Sequence, residues 1–487
     1  MPPLPRRRLR PLLAALVLWA SSAGLGAAQP RTSDVGDLVR GYHEAGLFDG
    51  VVLAAVGDSV VLRRGYGLAD AEHGVPNTPA TRFRLASVTK QFTAAAVLRL
   101  AEMGRVDLHA PVSRYLSGLA PRLAERVTPH HLLSHTAGVV RDVDALSTKG
   151  IGAHYAMDEM IALLGSTDLS FEPGERFAYS NAGYVLLAGV IEAVTERPYG
   201  DAMRTLLFDP LGLDDTGHES SHLVVPDRAW GYTRLVDELV RAPHEDKTYV
   251  TGAGSLYSTA DDLFEWARAL RGGRVLSAES VRLLFTPNAG SYGYGWFVGG
   301  YRVPSGDDGF TRALHQGGSP GFRTALALYF DHDLTVITLS NVEPTTGGLW
   351  DRVGNALLGY EEEVPRSNVA EDVYRTVLTD GVEAGLTAAA RLGERGPHSE
   401  PSESDLTRVG YAYLGADRVE QALRLFRYYA GRYPDDANAH DSLGEALAAA
   451  GRVEEAIAAY ERALALDPDG QVGANARRWL ARLRGAD

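Results

Sequence analysis

The chain of 487 residues has no cysteine. Disulfides are therefore excluded, as is a lipidated cysteine near the N-terminus. The fold must be held by its apolar core, which a chain of this size can build. Lysine is almost as scarce. Of the 48 lysines and arginines, only Lys90, Lys149 and Lys247 are lysine. Arginine stays protonated in proteins, whereas a lysine can lose its proton when desolvated. A lone lysine on an apolar-flanked helix thus suggests chemistry more than solubility. Positive charge is short overall: the formal net charge is −14, which makes nucleic acid a poor partner. Beyond the N-terminus, no stretch is long and apolar enough to span a bilayer.

What is present begins with "MPPLPRRRLRPLLAALVLWASSAGLGAAQP". An arginine-rich start, an apolar stretch from Leu12 to Ala20 and small residues ending at Ala28 form the three-part layout of a secretory signal. The expectation is a signal peptide at 1–28, cleavage after Ala28, and a periplasmic or extracellular protein with no stable membrane span. An uncleaved anchor is the alternative. Cleavage removes four arginines and no acids, leaving a mature charge of −18.

"GVVLAAVGDSVVLRRGYG" (50–67) reads as a β-hairpin turning at Gly57-Asp58. The apolar spacing becomes helical from Phe92 to about Met103, and Gly104 ends that helix. Thr128-Pro129 caps a short helix, and 181–196 and 258–273 read as further amphipathic helices. Strand character returns at 322–330 and 334–340, joined by Asp331-His332-Asp333. Strands at both ends with helices between imply an α+β domain over 29–362, its antiparallel sheet built from both chain ends around an inserted helical region. Residues 363–402 read as a helix and a linker.

The chemistry centres on "RLASVTKQF" (84–92), where Ser87 precedes Lys90 by three positions as a helix begins. A serine there gains from the free N–H groups and dipole of the helix N-terminus. Lys90 falls on the same face, and if buried it can help take the serine proton. Ser-x-x-Lys alone is a weak signal. Two later stretches strengthen it: "FAYSNAGY" (177–184) displays Tyr179 and Asn181 before a helix, and "LHQGGSPGF" (314–322) carries His315, Gln316, Gly317 and Gly318 ahead of the strand at 322.

Ser-x-x-Lys, Tyr-x-Asn and His-x-Gly, in that order, resemble the class C beta-lactamases and penicillin-binding-protein-like serine hydrolases. "LLSHTAGV" (132–139), "GAGSLYSTADDL" (252–263) and "YGYGW" (292–296) extend the resemblance over about residues 35–350. It implies a beta-lactamase/transpeptidase-like fold with Ser87 as the acylated nucleophile. Lys90 and Tyr179 would share the base role, the cation lowering the phenol's pKa. Asn181 would donate to the substrate carbonyl region and help hold Lys90, and His315 would be a hydrogen-bond partner near Tyr179. The N–H groups of Ser87 and Gly318 would form the oxyanion hole, with Gln316 and Gly317 at the substrate. His315 stands where lactamases of this class generally have lysine, and Gln316 where they have a hydroxyl residue. Those groups help bind the substrate carboxylate, and a neutral imidazole is a poor substitute.

The expectation is an exported serine hydrolase that cleaves a small ester, amide or peptide without a cofactor. Beta-lactamase or D-Ala-D-Ala carboxypeptidase action is an alternative. Ser319 sits in a G-x-S-x-G frame, but Pro320 lacks the N–H that a nucleophile elbow requires. His131 and His135 lie four apart without a third ligand, so a capping or packing role is expected and no metal.

The C-terminal part differs in kind. Segments 410–434 and 444–468 align without gaps, pairing Gly410 with Gly444, Ala422 with Ala456, Phe426 with Tyr460 and Pro434 with Pro468. The offset of 34 resembles that of tetratricopeptide repeats. Two repeats (403–436, 437–470) and a terminal helix would form a small all-α domain over 403–487. It would either dock a protein or peptide or cover the catalytic domain. A catalytically idle protein acting through these repeats is the remaining alternative.

Overall fold

The computed structural model describes residues 32–485 except 144–145, 147–148, 220–221, 237, 303–308, 344–347, 365–368 and 394–402. The proposed signal segment and most of the linker lie outside the described residues. No described helix is long and apolar enough to cross a membrane.

Six antiparallel strands form the central sheet: β1 (Gly50–Val56), β2 (Ser59–Tyr66), β3 (Phe297–Arg302), β4 (Gly309–Ser319), β5 (Phe322–Tyr329) and β6 (Leu334–Ser340). Their spatial order is β3-β4-β5-β6-β1-β2. Pairing of β1 with β6, from Gly50 opposite Ser340 to Val56 opposite Leu334, joins the two ends of the domain. Alternation along each strand divides the side chains between two faces. Val52, Ala54, Ala325, Ala327 and Val336 pack under α1 (Thr32–Glu44). Val51, Leu53, Leu326, Leu328 and Ile337 face the helical layer.

That layer contains α2 (Thr89–Glu102), α3 (Asn181–Thr195) and α4 (Ala260–Arg271). The rings of Phe92 and Trp266 stack at 4.4 Å between α2 and α4, both fully buried. Helix α5 (Leu349–Leu357) returns to the α1 face. The sequence places His315–Gly318 ahead of a strand, but they lie within β4. Two adjacent glycines remove the apolar alternation by which a strand is read.

Residues 363–402, expected as one helix and a linker, contain two helices, α6 (Val369–Asp380) and α7 (Val382–Gly393). Gly381, at φ +95°, breaks between them. Then follow α8 (Glu403–Gly415), α9 (Val419–Arg432), α10 (Ala437–Ala449), α11 (Val453–Leu466) and α12 (Gln471–Leu483). The start of α12 continues the 34-residue period set by α8 and α10. Each aligned glycine faces its aromatic: a Cβ on Gly410 would lie 2.4 Å from Phe426, and one on Gly444 2.9 Å from Tyr460.

The helical stack holds part of the α+β domain. Hairpin 232–241 carries Leu235, Val236 and Val240 into the apolar cluster of α6–α12. Val236 N–H donates to Tyr413 Oη at 3.1 Å, and Arg418 forks onto the Glu238 carboxylate at 2.8 and 3.1 Å. Covering is thus a structural role of the repeats. Removing 403–487 would uncover these apolar side chains, so the truncated protein is expected to melt several degrees below the full chain. An unchanged melting temperature would show that the hairpin does not depend on the repeats.

Candidate active site

Ser87 sits in a 3₁₀ turn, Ala86–Val88, that feeds directly into α2. Ala86 takes φ +46°, a left-handed conformation that costs about 1–3 kcal/mol outside glycine. The surroundings enforce it. Leu85 N–H donates to Leu256 O at 2.8 Å, and Leu85 O accepts from Thr324 Oγ1 at 2.7 Å. The serine is thereby pinned between a short strand and β5.

Lys90 is fully buried. Its Nζ lies 3.1 Å from Ser87 Oγ, 2.8 Å from Asn181 Oδ1 and 2.8 Å from Ala253 O. Burial drives its pKa well below the ordinary lysine value; Asp142 opposes the shift and Arg141 adds to it. Asn181 opens α3, where Ser180 caps the helix by accepting from Gly183 N–H at 2.9 Å. The N–H groups of Asn181 and Ala182 both donate to Arg141 O, and Asn181 Nδ2 donates to Asp142 Oδ1 at 2.6 Å. With its amide nitrogen held by a carboxylate, Asn181 must turn its oxygen toward Lys90.

Tyr179 lies beside the Ser87–Lys90 pair, its ring centroid 4.8 Å from Lys90 Nζ. The expected lowering of the phenol pKa is not found: burial pushes it upward. The amine beside it is itself depressed, and the Arg141 guanidinium, which favours phenolate, does not outweigh burial. His135 packs 4.3 Å from the Tyr179 ring, and its Nδ1 accepts from Ser180 N–H at 3.1 Å. His131 instead closes a capping box with Thr128. The two histidines therefore have separate structural tasks.

His315 is also buried and lies 6.3 Å from Tyr179 between ring centroids. Its hydrogen-bond partner is Tyr292, not Tyr179. Nδ1 donates to Gln316 O at 2.7 Å, leaving Nε2 to accept from Tyr292 Oη at 3.0 Å. Burial, assisted by Lys90, pushes the imidazole down to about 3, so it is neutral at pH 7.

Alternation along β4 turns Gln316 to the other side of the strand, exposed and outside the lining of the Ser87 cavity. Gly317, expected at the substrate, instead lies against the serine turn. A Cβ there would sit 2.1 Å from Leu85 O and 2.4 Å from Thr324 Oγ1. Gly318 and Ser319 line a cavity of about 160 Å³ together with Ser87, Asp142, Asn181, Glu245, Lys247 and Tyr249. The Ser319 hydroxyl is buried with no hydrogen-bond partner, so no base activates it.

Sequence reading missed Asp142, Ala253 O and Tyr292 as members of this constellation. Asp142 follows the quoted 132–139 segment, Ala253 lies inside 252–263 and Tyr292 opens 292–296, so proximity to those segments was the available signal.

A seryl hydroxyl beside a buried lysine at the head of a helix, on a five-or-more-stranded antiparallel sheet with a helical insertion, defines a serine hydrolase of the beta-lactamase/transpeptidase class. The beta-lactamase family model matches residues 35–357, about two thirds of the chain. The chain belongs to this family. Penicillin-binding protein 4* of Bacillus subtilis (strain 168) is 33% identical over 326 residues, covering 61% of this chain and 69% of that protein. Esterase EstB of Burkholderia gladioli is 37% identical over 263 residues, covering 47% and 67%. The crystal structure of a penicillin-binding protein from Bacillus halodurans is similar with a TM-score of 0.56 at 26% identity, covering 66% of this chain and 98% of that one. A tetratricopeptide model matches 409–470, a repeat class with a capacity for protein interaction.

Replacing Gly317 by alanine is expected to displace the Ser87 turn, at an overpacking cost of about 1–3 kcal/mol. The variant should melt lower and react more slowly with a fluorophosphonate probe. Wild-type melting and labelling would show that the close approach is not required.

Proposed function

We propose that this chain is an exported hydrolase that forms an acyl-enzyme on Ser87 and cleaves a small ester or amide. The observation that carries this reading is a fully buried Lys90 amine 3.1 Å from Ser87 Oγ. A neutral amine has two N–H bonds and one lone pair. Asn181 Oδ1 and Ala253 O are acceptors only, and each takes one N–H. In the neutral form the lone pair faces the Ser87 hydroxyl, whereas an ammonium donates its third N–H to it. Burial supports the neutral form by disfavouring the ammonium.

In the proposed reaction Lys90 takes the Ser87 proton as Oγ attacks the acyl carbon. The Ser87 and Gly318 N–H groups receive the developing oxyanion. Tyr179, a neutral phenol beside the Ser87–Lys90 pair, passes the proton to the leaving oxygen or nitrogen. Water then repeats the sequence to release the acid. His315 holds Tyr292 and carries no charge, so the site offers no cation at this position for the carboxylate of a beta-lactam. The similarity to an esterase favours the same side of the choice.

A fluorophosphonate probe should label the wild-type protein and not Ser87→Ala. Labelling that survives this substitution, or that never occurs, would remove the enzyme reading. Lys90→Arg keeps a cation that cannot deprotonate, and should lower the hydrolysis of p-nitrophenyl esters roughly 10²–10⁴-fold. Because the base must be neutral, kcat/KM should fall as pH drops through the lowered Lys90 pKa. Small p-nitrophenyl esters should be turned over with little nitrocefin cleavage; efficient nitrocefin cleavage would contradict the assignment of His315.

A further inference from the structure

Two of the three lysines flank the same cavity. Lys90 bonds to residues that line it, and Lys247 lines it directly. Lys247 is buried, its side chain 2% exposed. It pairs with Glu245, which also accepts from Tyr249 Oη. The ammonium has three N–H donors, and its hydrogen bond to Glu245 occupies one. Around the pair lie Arg84, Glu219 and Arg228, with Arg84 and Arg228 both bonded to Glu219. Three cations thus meet two carboxylates here, while the neighbouring Asp246 carboxylate is turned to Thr248 and His154. The other carboxylate at the cavity, Asp142, is engaged by Asn181 and Arg141.

Ser319 contributes a second, independent observation. Its Oγ is buried with no hydrogen-bond partner, and the residue lines the same cavity. A buried donor left unmatched is destabilising, so a ligand acceptor in this space is favoured. The direction of the cavity assigns that ligand to one side of the scissile bond. Tyr179 and His315 lie outside the cavity lining, while Ser87 and Gly318 lie within it. A leaving group departs toward its proton donor, Tyr179, so the Lys247 side receives the acyl portion.

We propose that Lys247 and Ser319 form an acyl-group subsite that selects substrates whose acyl chain ends in a carboxylate. The proposal rests on Ser87 being the acylated nucleophile. The anion would lie against the two free N–H groups of Lys247 and the Ser319 hydroxyl, on the side of the serine opposite Tyr179. Carboxylate recognition, which His315 and Gln316 do not provide, is thus supplied from another segment of the chain and for the other half of the substrate.

The test compares mono-p-nitrophenyl glutarate with p-nitrophenyl butyrate on the full-length protein. The wild type should prefer the hemiester at least about tenfold in kcat/KM, an effect expected of one charge-assisted contact. Lys247→Met paired with Glu245→Gln, which avoids leaving a lone buried carboxylate, should abolish the preference. Ser319→Ala should reduce it, mainly through KM. Fluorophosphonate labelling of the same samples reports whether the Ser87 site is intact. An intact site that hydrolyses butyrate equally well or better, or a hemiester preference that survives the double substitution, would overturn the subsite. Absence of both labelling and esterolysis in the wild type would instead overturn the hydrolase reading on which it rests.

Discussion

A lysine amine placed in a dry interior has two ways to exist: charged with a full complement of acceptors, or neutral. Three acceptors surround Lys90, and it is burial away from any touching anion that favours the second. The nearest carboxylate, Asp142, is one residue removed, behind the Asn181 amide that it holds. Desolvation of an ammonium costs several kcal/mol when no anion touches it. The rest of the domain serves to keep this amine where it is, between the head of α3, the carbonyl at 253 and the serine turn. The strained Ala86, the close approach at Gly317 and the Thr324 bond to Leu85 are the means by which the sheet fixes the third of these partners.

Neutrality extends through the cleft. Tyr179 is raised and His315 is depressed, both chiefly by burial, so phenol and imidazole lie in their uncharged forms beside the depressed Lys90 amine. Beyond the Arg141–Asp142 pair beside Asn181, charge gathers in a wall where Lys247, Glu245, Arg84, Glu219 and Arg228 interlock. The chain connects this wall to the repeats: hairpin 232–241, seated in their apolar cluster, leads directly to residues 245–249.

Much of this was legible in the sequence. Ser87, Lys90, Tyr179 and Asn181 stood out by order and by residue type, and the 34-residue register of Gly410 and Gly444 with their aromatics anticipated the packing of the repeats. The strands at 50–66 and 322–340 were readable because β-branched and aliphatic runs flank clear turn residues. Other features left no pattern. Ala253 acts through its carbonyl, which any residue supplies, and Asp142 acts through a loop that has no periodicity. The direction of the Tyr179 shift depends on how deeply the phenol is enclosed, a property of tertiary packing. Helix α7 was hidden because Gly381 reads as an end rather than a hinge between two helices.

The scarcity of lysine makes the central claim directly measurable. In protein labelled with ¹³Cε-lysine, three resonances are expected, and loss of one in Lys90→Arg assigns the site. The Lys90 signal should titrate well below the ordinary lysine value of about 10.4 and report a neutral amine at the pH of maximal esterolysis. An ammonium signal at Lys90 that persists to pH ~10 would contradict a neutral base at this position.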